Sequence, residues 1–263
     1  MVLRLRGTLH ASALGETPYR EGLALQDVLV ALRANGDIGD WVLYPDHESV
    51  LTIGRNPSEG NLLADAATLD RLGVEVFEVP RGGDVTWHGP GQLVGYPVVS
   101  LDRVDRDLHR WLRALEEAII VALAAHDLEA RRVPGRTGVW LDEHRKIASI
   151  GVAVRRWVGY HGFALNVCPD LAGFELIHPC GLHGIRMTSM HEALGGRGPS
   201  LAQMRHSVTE ALAVQLGYEA VRWAPPEEPR QLARASHAAA ASNETSTPSS
   251  LSNSSGGSPP WSP

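Results

Sequence analysis

Residues 137–167, TGVWLDEHRKIASIGVAVRRWVGYHGFALNV, constrain the fold more than any other stretch of the 263-residue chain. Three segments rich in Val, Ile, Trp, Tyr and Phe are separated by turns at 142–144 and near 157–159. Connections this short join antiparallel neighbours, so the run predicts a three-stranded antiparallel sheet segment. Around it the pattern alternates between strands and helices. WVLYPDH and SVLTIGR read as two strands joined by a polar turn, VEVFEVP and QLVGYPVVSL as two more, and short strands are expected near 2–5 and at YEAVRWA. A helical pattern over 19–33 stops at Gly36, and a last helix over 201–216 ends at Gly217. Over 105–126 an amphipathic helix places Leu108, Leu112, Leu115, Ile119 and Leu123 on one face, with Asp102 or Asp105 as its cap. The fold class that follows is α+β, a mixed, mostly antiparallel sheet flanked by helices.

The hydrophobic content, 43%, is enough for one large core, and a single folded unit is expected over 1–224. From 225 the composition shifts to Pro, Glu, Ala, Ser and Asn, which predicts a disordered low-complexity tail over 225–263. No apolar run approaches the ~18 residues that span a bilayer; AIIVALAA, 118–125, reads as a buried helix face. The opening MVLRLRGTLH, broken by Arg4 and Arg6, lacks the continuous apolar region of a secretory signal, so a cytoplasmic address is expected. A net charge of −6 argues against nucleic acid as the main partner. With Cys168 and Cys180 as the only thiols, no disulfide framework is implied.

Four motifs can carry chemistry. RGGDVTWHGPGQLVGYP, 81–97, packs five glycines into seventeen residues; a plain connector needs far less backbone freedom, so its main chain is expected to approach a ligand. The glycine spacing fits neither a dinucleotide fingerprint nor a phosphate loop. Arg81 can pair with an anion, Gly82 and Gly83 can bare N–H groups, and His88 can titrate near neutrality. Of the 24 cationic residues only Lys146 is lysine. Arginine replaces lysine on a surface but cannot release its proton, so a lysine kept in such a chain points to a site where arginine fails. In HPCGLHG, Cys180 lies in a Pro-Cys-Gly turn fit for a nucleophile. The spacing of His178, Cys180 and His183 hints at zinc, yet no fourth ligand has matching spacing, so no metal is expected. Cys168 reads as structural. A thiol of ordinary pKa, ~8.5, is a few per cent thiolate at neutral pH and needs a partner; Lys146 can supply it, with His88, His161 and His178 as competing bases.

Together, RGGDVTWHGPGQLVGYP, RKIASIGV, GFALNV and HPCGLHGIRMTS, in this order, resemble the lipoyl(octanoyl) transferases, over roughly 25–216. The resemblance implies a fold like that of the biotin and lipoate protein ligases. It implies transfer of an octanoyl group from octanoyl-acyl carrier protein to a lysine of lipoyl domains, those of 2-oxoacid dehydrogenases and the glycine cleavage H protein, as the first step of protein lipoylation, with no cofactor. On this chain Cys180 matches the family's nucleophile and Lys146 the residue that lowers its pKa and relays protons. The loop Arg81, Gly82, Gly83, Asp84, Val85, Thr86, Trp87 and His88 matches the acyl-substrate loop, and Ser149, Ile150, Gly151, Gly162, Phe163 and Ala164 match the other substrate-contacting segments. The small residues Gly151, Gly162 and Ala164 can leave room for an eight-carbon chain. Arg103, Arg106, Arg110 and Arg113 fall on one stripe of the expected long helix and can steer an acidic carrier. The alternatives are an ATP-dependent ligase of the same fold, or a catalytically silent acyl-binding protein.

Overall fold

The computed structural model describes residues 7–178 and 184–245. The described residues form, in order, β1 (Thr8–Glu16), α1 (Tyr19–Asn35), β2 (Asp40–Asp46), β3 (Val50–Ile53), α2 (Ala66–Leu72), β4 (Glu75–Glu78), β5 (Val85–His88) and β6 (Gln92–Ser100). After a 3-10 turn, Leu101–Val104, come α3 (Leu108–Ala124), β7 (Arg131–Val133), β8 (Arg136–Trp140), β9 (Arg145–Arg155) and β10 (Val158–Asn166). A second 3-10 turn, Leu171–Leu176, precedes β11 (Arg186–Met187), α4 (Met190–Ala193), α5 (Leu201–Leu216), β12 (Ala220–Trp223) and α6 (Glu227–Thr245).

The strands build two sheets. The larger has the order β12-β1-β2-β6-β10-β9-β8-β7, with β11 added to β9 in parallel. It is parallel at β12/β1/β2 and antiparallel from β2 through β7, so the α+β class expected from 137–167 is the one present. The hairpin turn between β9 and β10 holds Arg156 and Trp157 at φ 51° and 61°, the left-handed pair that a tight right-twisted hairpin requires. WVLYPDH and SVLTIGR are the two consecutive strands expected, and they part into different sheets: β2 pairs with β1 and β6, whereas β3 pairs with β4 and β5 in the smaller sheet, β4-β3-β5.

Helices cover the larger sheet. One core joins α3 and α5, through Trp111, Leu115, Ile119, Leu123, Met204, Val208 and Leu212, to Val42, Leu93, Phe163 and Leu165. Another joins α1, through Tyr19, Leu25, Leu29 and Val30, to Leu43, Val94, Val98 and Ala164. Local signals set the ends: Gly36 and Gly217 close α1 and α5 in the left-handed conformation, and Ser200 with Gln203 makes a capping box on α5. At α3 the cap is Asp107, whose side chain accepts from the N–H groups of His109 and Arg110; neither Asp102 nor Asp105 serves. Residue Asp105 is already left-handed, φ 55°, so the helix cannot begin there. This breaks the expected arginine stripe, since Arg103 and Arg106 precede the helix. Each of the four is also ion-paired, to Asp40, Asp102, Asp105 and Glu116 in turn.

The disordered tail expected from 225 does not hold over Glu227–Thr245. Those residues form α6, which packs against α1 with Leu232 and Ala233 on the second core. The alanine-rich segment is a good helix former, and Arg230 pins it by reaching Glu21, Leu14 O and Thr17 Oγ1. The expected strand near 2–5 and the rest of the tail lie outside the described residues. Among the described residues no helix is long and apolar enough to cross a membrane.

Candidate active site

The glycine-bordered loop crosses the larger sheet at β9. Gly82 N–H donates to Val152 O at 2.8 Å, and Arg55 N–H and Asn56 N–H donate to Arg81 O and Gly83 O. The loop lies so close that a Cβ on Gly151 would stand 2.9 Å from Gly82 O and 3.0 Å from Arg81 Cδ. Between loop and sheet is a cavity. Its wall contains Arg81, Gly82, Gly83, Asp84, Val85, Thr86 and His88 from the loop and β5, Lys146, Ser149, Ile150 and Gly151 from β9, and Gly162, Phe163 and Ala164 from β10. The pairings Gly162 with Gly151, Phe163 with Ile150 and Ala164 with Ser149 place the last two groups side by side.

Trp87 is the one member of the expected loop outside this wall. Strand alternation turns it to the other face of β5, where it is buried edge-on against Phe174 at a ring separation of 5.2 Å. The guanidinium of Arg81 is buried and donates to Thr52 O at 2.7 Å, to Thr52 Oγ1 and to Gly82 O. Asp84 ties the loop down by accepting from Val85 N–H, Ser58 N–H and the Asn61 amide. Lys146 is 3% exposed, with Nζ 5.3 Å from the centre of the Trp140 ring. Cys180 and His183 lie outside the described residues. What precedes and follows them is held: His178 N–H donates to Asn61 O at 2.8 Å, and Met187 of β11 is the register partner of Lys146. Cys168, expected to be structural, is exposed; its backbone is the fixed part, donating to Gly91 O.

Sequence reasoning missed much of the opposite wall. Tyr19 from the start of α1 and Tyr96 from β6 complete the lining together with His161 from β10, which the sequence offered only as a competing base. His47 lies behind them, donating from Nδ1 to Thr17 O at 2.7 Å and accepting at Nε2 from the Tyr96 hydroxyl at 2.8 Å. Burial governs all of these groups. It pushes the His88 imidazole down to about 3 against the opposing hydrogen bond with Gln92, and the His161 imidazole down to about 4 with help from the Arg81 charge. It raises the Tyr19 hydroxyl to about 12, and Tyr96 well above its ordinary value. Both histidines are therefore neutral at physiological pH. The tautomer of His88 follows from its neighbours: Gln92 Nε2 donates to Asn166 Oδ1, so Gln92 Oε1 accepts from His88 Nδ1–H. Asn166 continues the chain by donating to Thr188 O, and Thr188 N–H donates to Lys146 O.

His161 reaches the cavity through a break in the sheet. It stands opposite Pro97, which has no N–H to donate, and the β10/β6 ladder is interrupted between Gly159/Val99 and Phe163/Gly95. There His161 takes φ 53°, rare for a residue with a side chain, while its N–H is satisfied by Gln26 Oε1 at 2.9 Å. The two tyrosines gave no usable signal, because each reads as ordinary core in its own segment. Pro97 inside a strand did give one, as a mark of an interrupted ladder.

Comparison with known proteins settles the family. The lipoyl protein ligase A/B catalytic domain matches residues 18–213. The octanoyltransferase of Syntrophotalea carbinolica is 48% identical over 74% of this chain and 88% of its own, and that of Solibacter usitatus 48% identical over 78% and 92%. This chain belongs to the octanoyltransferase family. It is an acyltransferase of lipoate biosynthesis, as the four motifs imply. The fold extends further: a bi-partite lipoate protein ligase from Thermoplasma acidophilum superposes with TM-score 0.66 at 19% identity, covering 88% of this chain and 92% of that one. A lipoate-protein ligase A bound with ATP gives the same score at 20% identity, covering 88% and 94%.

Proposed function

We propose that this octanoyltransferase works through a Cys180 acyl-enzyme with Lys146 as its proton partner, taking octanoyl from an acyl carrier protein and giving it to a lysine of a lipoyl domain. The observation that carries this reading is that the lone lysine and the three expected acyl-binding segments border one cavity. Lys146 is buried, and its backbone pairs with Met187 on β11, the strand that follows the Cys180 segment in the chain.

In the first half-reaction the Cys180 thiolate attacks the carrier thioester. A Cys180 S–C(O) bond forms, the carrier's C–S bond breaks, and the proton released by Cys180 passes through Lys146 to the departing thiol. Exchange between two thioesters is nearly isoenergetic, so activation and positioning suffice and no nucleotide is consumed. In the second, the acceptor amine attacks the acyl-enzyme; an N–C(O) bond forms, the S–C bond breaks, and the amine's proton goes through Lys146 back to the Cys180 sulfur. His88 and His161 do not compete for these protons, because imidazoles held near 3 and 4 remain neutral acceptors at pH 7. Ile150, Phe163 and Ala164 give the acyl chain its apolar contacts, each buried methylene contributing about 0.8 kcal/mol.

Intact mass after incubation with octanoyl-acyl carrier protein is the direct test. One octanoyl adduct is expected in the wild type and in Cys168→Ser, and none in Cys180→Ser. An adduct that survives Cys180→Ser, or an octanoyl-adenylate formed from free octanoate and ATP without any thioester, sinks the reading. The second result would favour a ligase.

A further inference from the structure

The Lys146 side chain is held from one direction by elements that none of the reasoning above uses. β8 faces it across a bulge: Trp140 pairs with Lys146 but Val139 pairs with Ala148, leaving one extra residue on β9 at Ile147. Bulges re-aim the side chains beside them. On β8, Gly138 presents bare backbone to the lysine. A Cβ there would meet Lys146 Cε at 2.7 Å and Nζ at 3.3 Å, and the residue's φ of 123° already excludes a side chain. Two positions on, the fully buried Trp140 lays its ring beneath Nζ. Gly138 is fixed in turn by Glu116 of α3, a carboxylate 1% exposed that accepts Gly138 N–H at Oε1, 3.1 Å, and bonds Arg113 and Arg132 at Oε2.

We propose that Glu116, Gly138 and Trp140 form a clamp that sets where the Lys146 amine stands, with Glu116 as a positioning residue acting through Gly138. A buried carboxylate is costly in a helix that needs only an apolar face there. Its two arginines balance its charge, and the oxygen they leave accepts from a strand residue that abuts the lysine. The inference rests on the Cys180–Lys146 reading, since the amine's placement matters only if it acts on the thiol.

The pH dependence of Cys180 alkylation by iodoacetamide, measured in Cys168→Ser, tests the clamp apart from turnover. Lys146→Met supplies the reference, and it is expected to raise the midpoint towards that of a free thiol. Glu116→Ala should raise it part of the way, by about half to one pH unit. It should also lower kcat for octanoyl transfer about tenfold or more with KM within about twofold, as expected for a displaced group away from the acyl wall. Glu116→Gln, which keeps an oxygen for Gly138 N–H, should restore most of both. Trp140→Leu carries the test should Glu116→Ala not fold, with a rise expected there and a smaller one in Trp140→Phe. A folded Glu116→Ala or Trp140→Leu with the wild-type alkylation profile overturns the clamp while leaving the dyad intact. A Lys146→Met profile that does not move overturns the dyad itself.

Discussion

Gly82 and Gly162 both border the cavity, the first expected to bare an N–H group to a ligand and the second to make room for an acyl chain, and the backbone gives them different reasons to be glycine. A Cβ on Gly162 would lie 2.2 Å from Gly95 O and 2.5 Å from Pro97 Cδ, so β6 occupies the space and the strand itself forbids a side chain. At Gly82 the nearest atom to a Cβ is Val152 O at 3.6 Å, an ordinary contact, and the backbone is not left-handed. Gly162→Ala is therefore expected to lose about 2–4 kcal/mol of stability, a cost typical of forcing atoms into a packed backbone. Gly82→Ala should melt within about 3 °C of the wild type while changing KM for octanoyl donors. Thermal melts of the two variants beside steady-state kinetics decide this; equal destabilisation would show that the loop is as tightly seated as the strand. The contrast also marks what sequence could show at this scale. Lys146 was legible because a chain that uses arginine everywhere else kept one lysine. The crowding at Gly162 was not, since it depends on how near β6 comes, and that distance is a property of the pairing.

Elements were legible wherever their signals are local. α1 and α5 end at the glycines that mark them, and the β9–β10 hairpin turns at Arg156 and Trp157, close to the turn expected near 157–159. They failed where the deciding contact comes from another part of the chain. The sequence of α6 is polar and alanine-rich, with nothing in it to reveal that α1 offers a surface for Leu232 and that Glu21 and the end of β1 await Arg230. α6 should accordingly contribute to stability without entering the chemistry. Ending the chain after residue 245 should leave the melting temperature and octanoyl transfer unchanged. Ending it after 226 should lower stability by about 1–3 kcal/mol, the value of burying one large aliphatic side chain, which is several degrees for a chain of this size. Transfer per folded molecule should be retained, and a fall in kcat without a fall in melting temperature would place α6 in catalysis instead.

At the scale of the molecule, the cavity lies along the seam where the loop and β5 of the smaller sheet cover β9 and β10 of the larger one, with Tyr19 and Tyr96 of the second core completing its wall. Closing that seam buries a set of imidazoles in the neutral form. His88 is held down to about 3 and His161 to about 4, chiefly by desolvation, and His47 behind them shifts in the same direction. In the unfolded chain each returns to its ordinary value near 6.5 and binds a proton as pH falls through it, whereas the folded protein does not bind that proton until pH reaches the depressed value. The unfolded state therefore holds more protons between about 6.5 and 4, so acid favours unfolding across that window and stability rises with pH through it. Each such histidine adds a slope of about 1.4 kcal/mol per pH unit. His88 and His161 together should give nearly 3 kcal/mol per unit between about pH 6 and 4.5, before carboxylates with lowered values, such as Asp40, add their own loss further down. Urea denaturation at half-unit steps of pH measures the slope directly. His161→Asn, which tolerates the left-handed backbone, should reduce it by about one proton while leaving the stability at pH 8 far less affected. A slope unchanged by that substitution would mean that His161 titrates alike in both states, and that the seam around the cavity stays open to water.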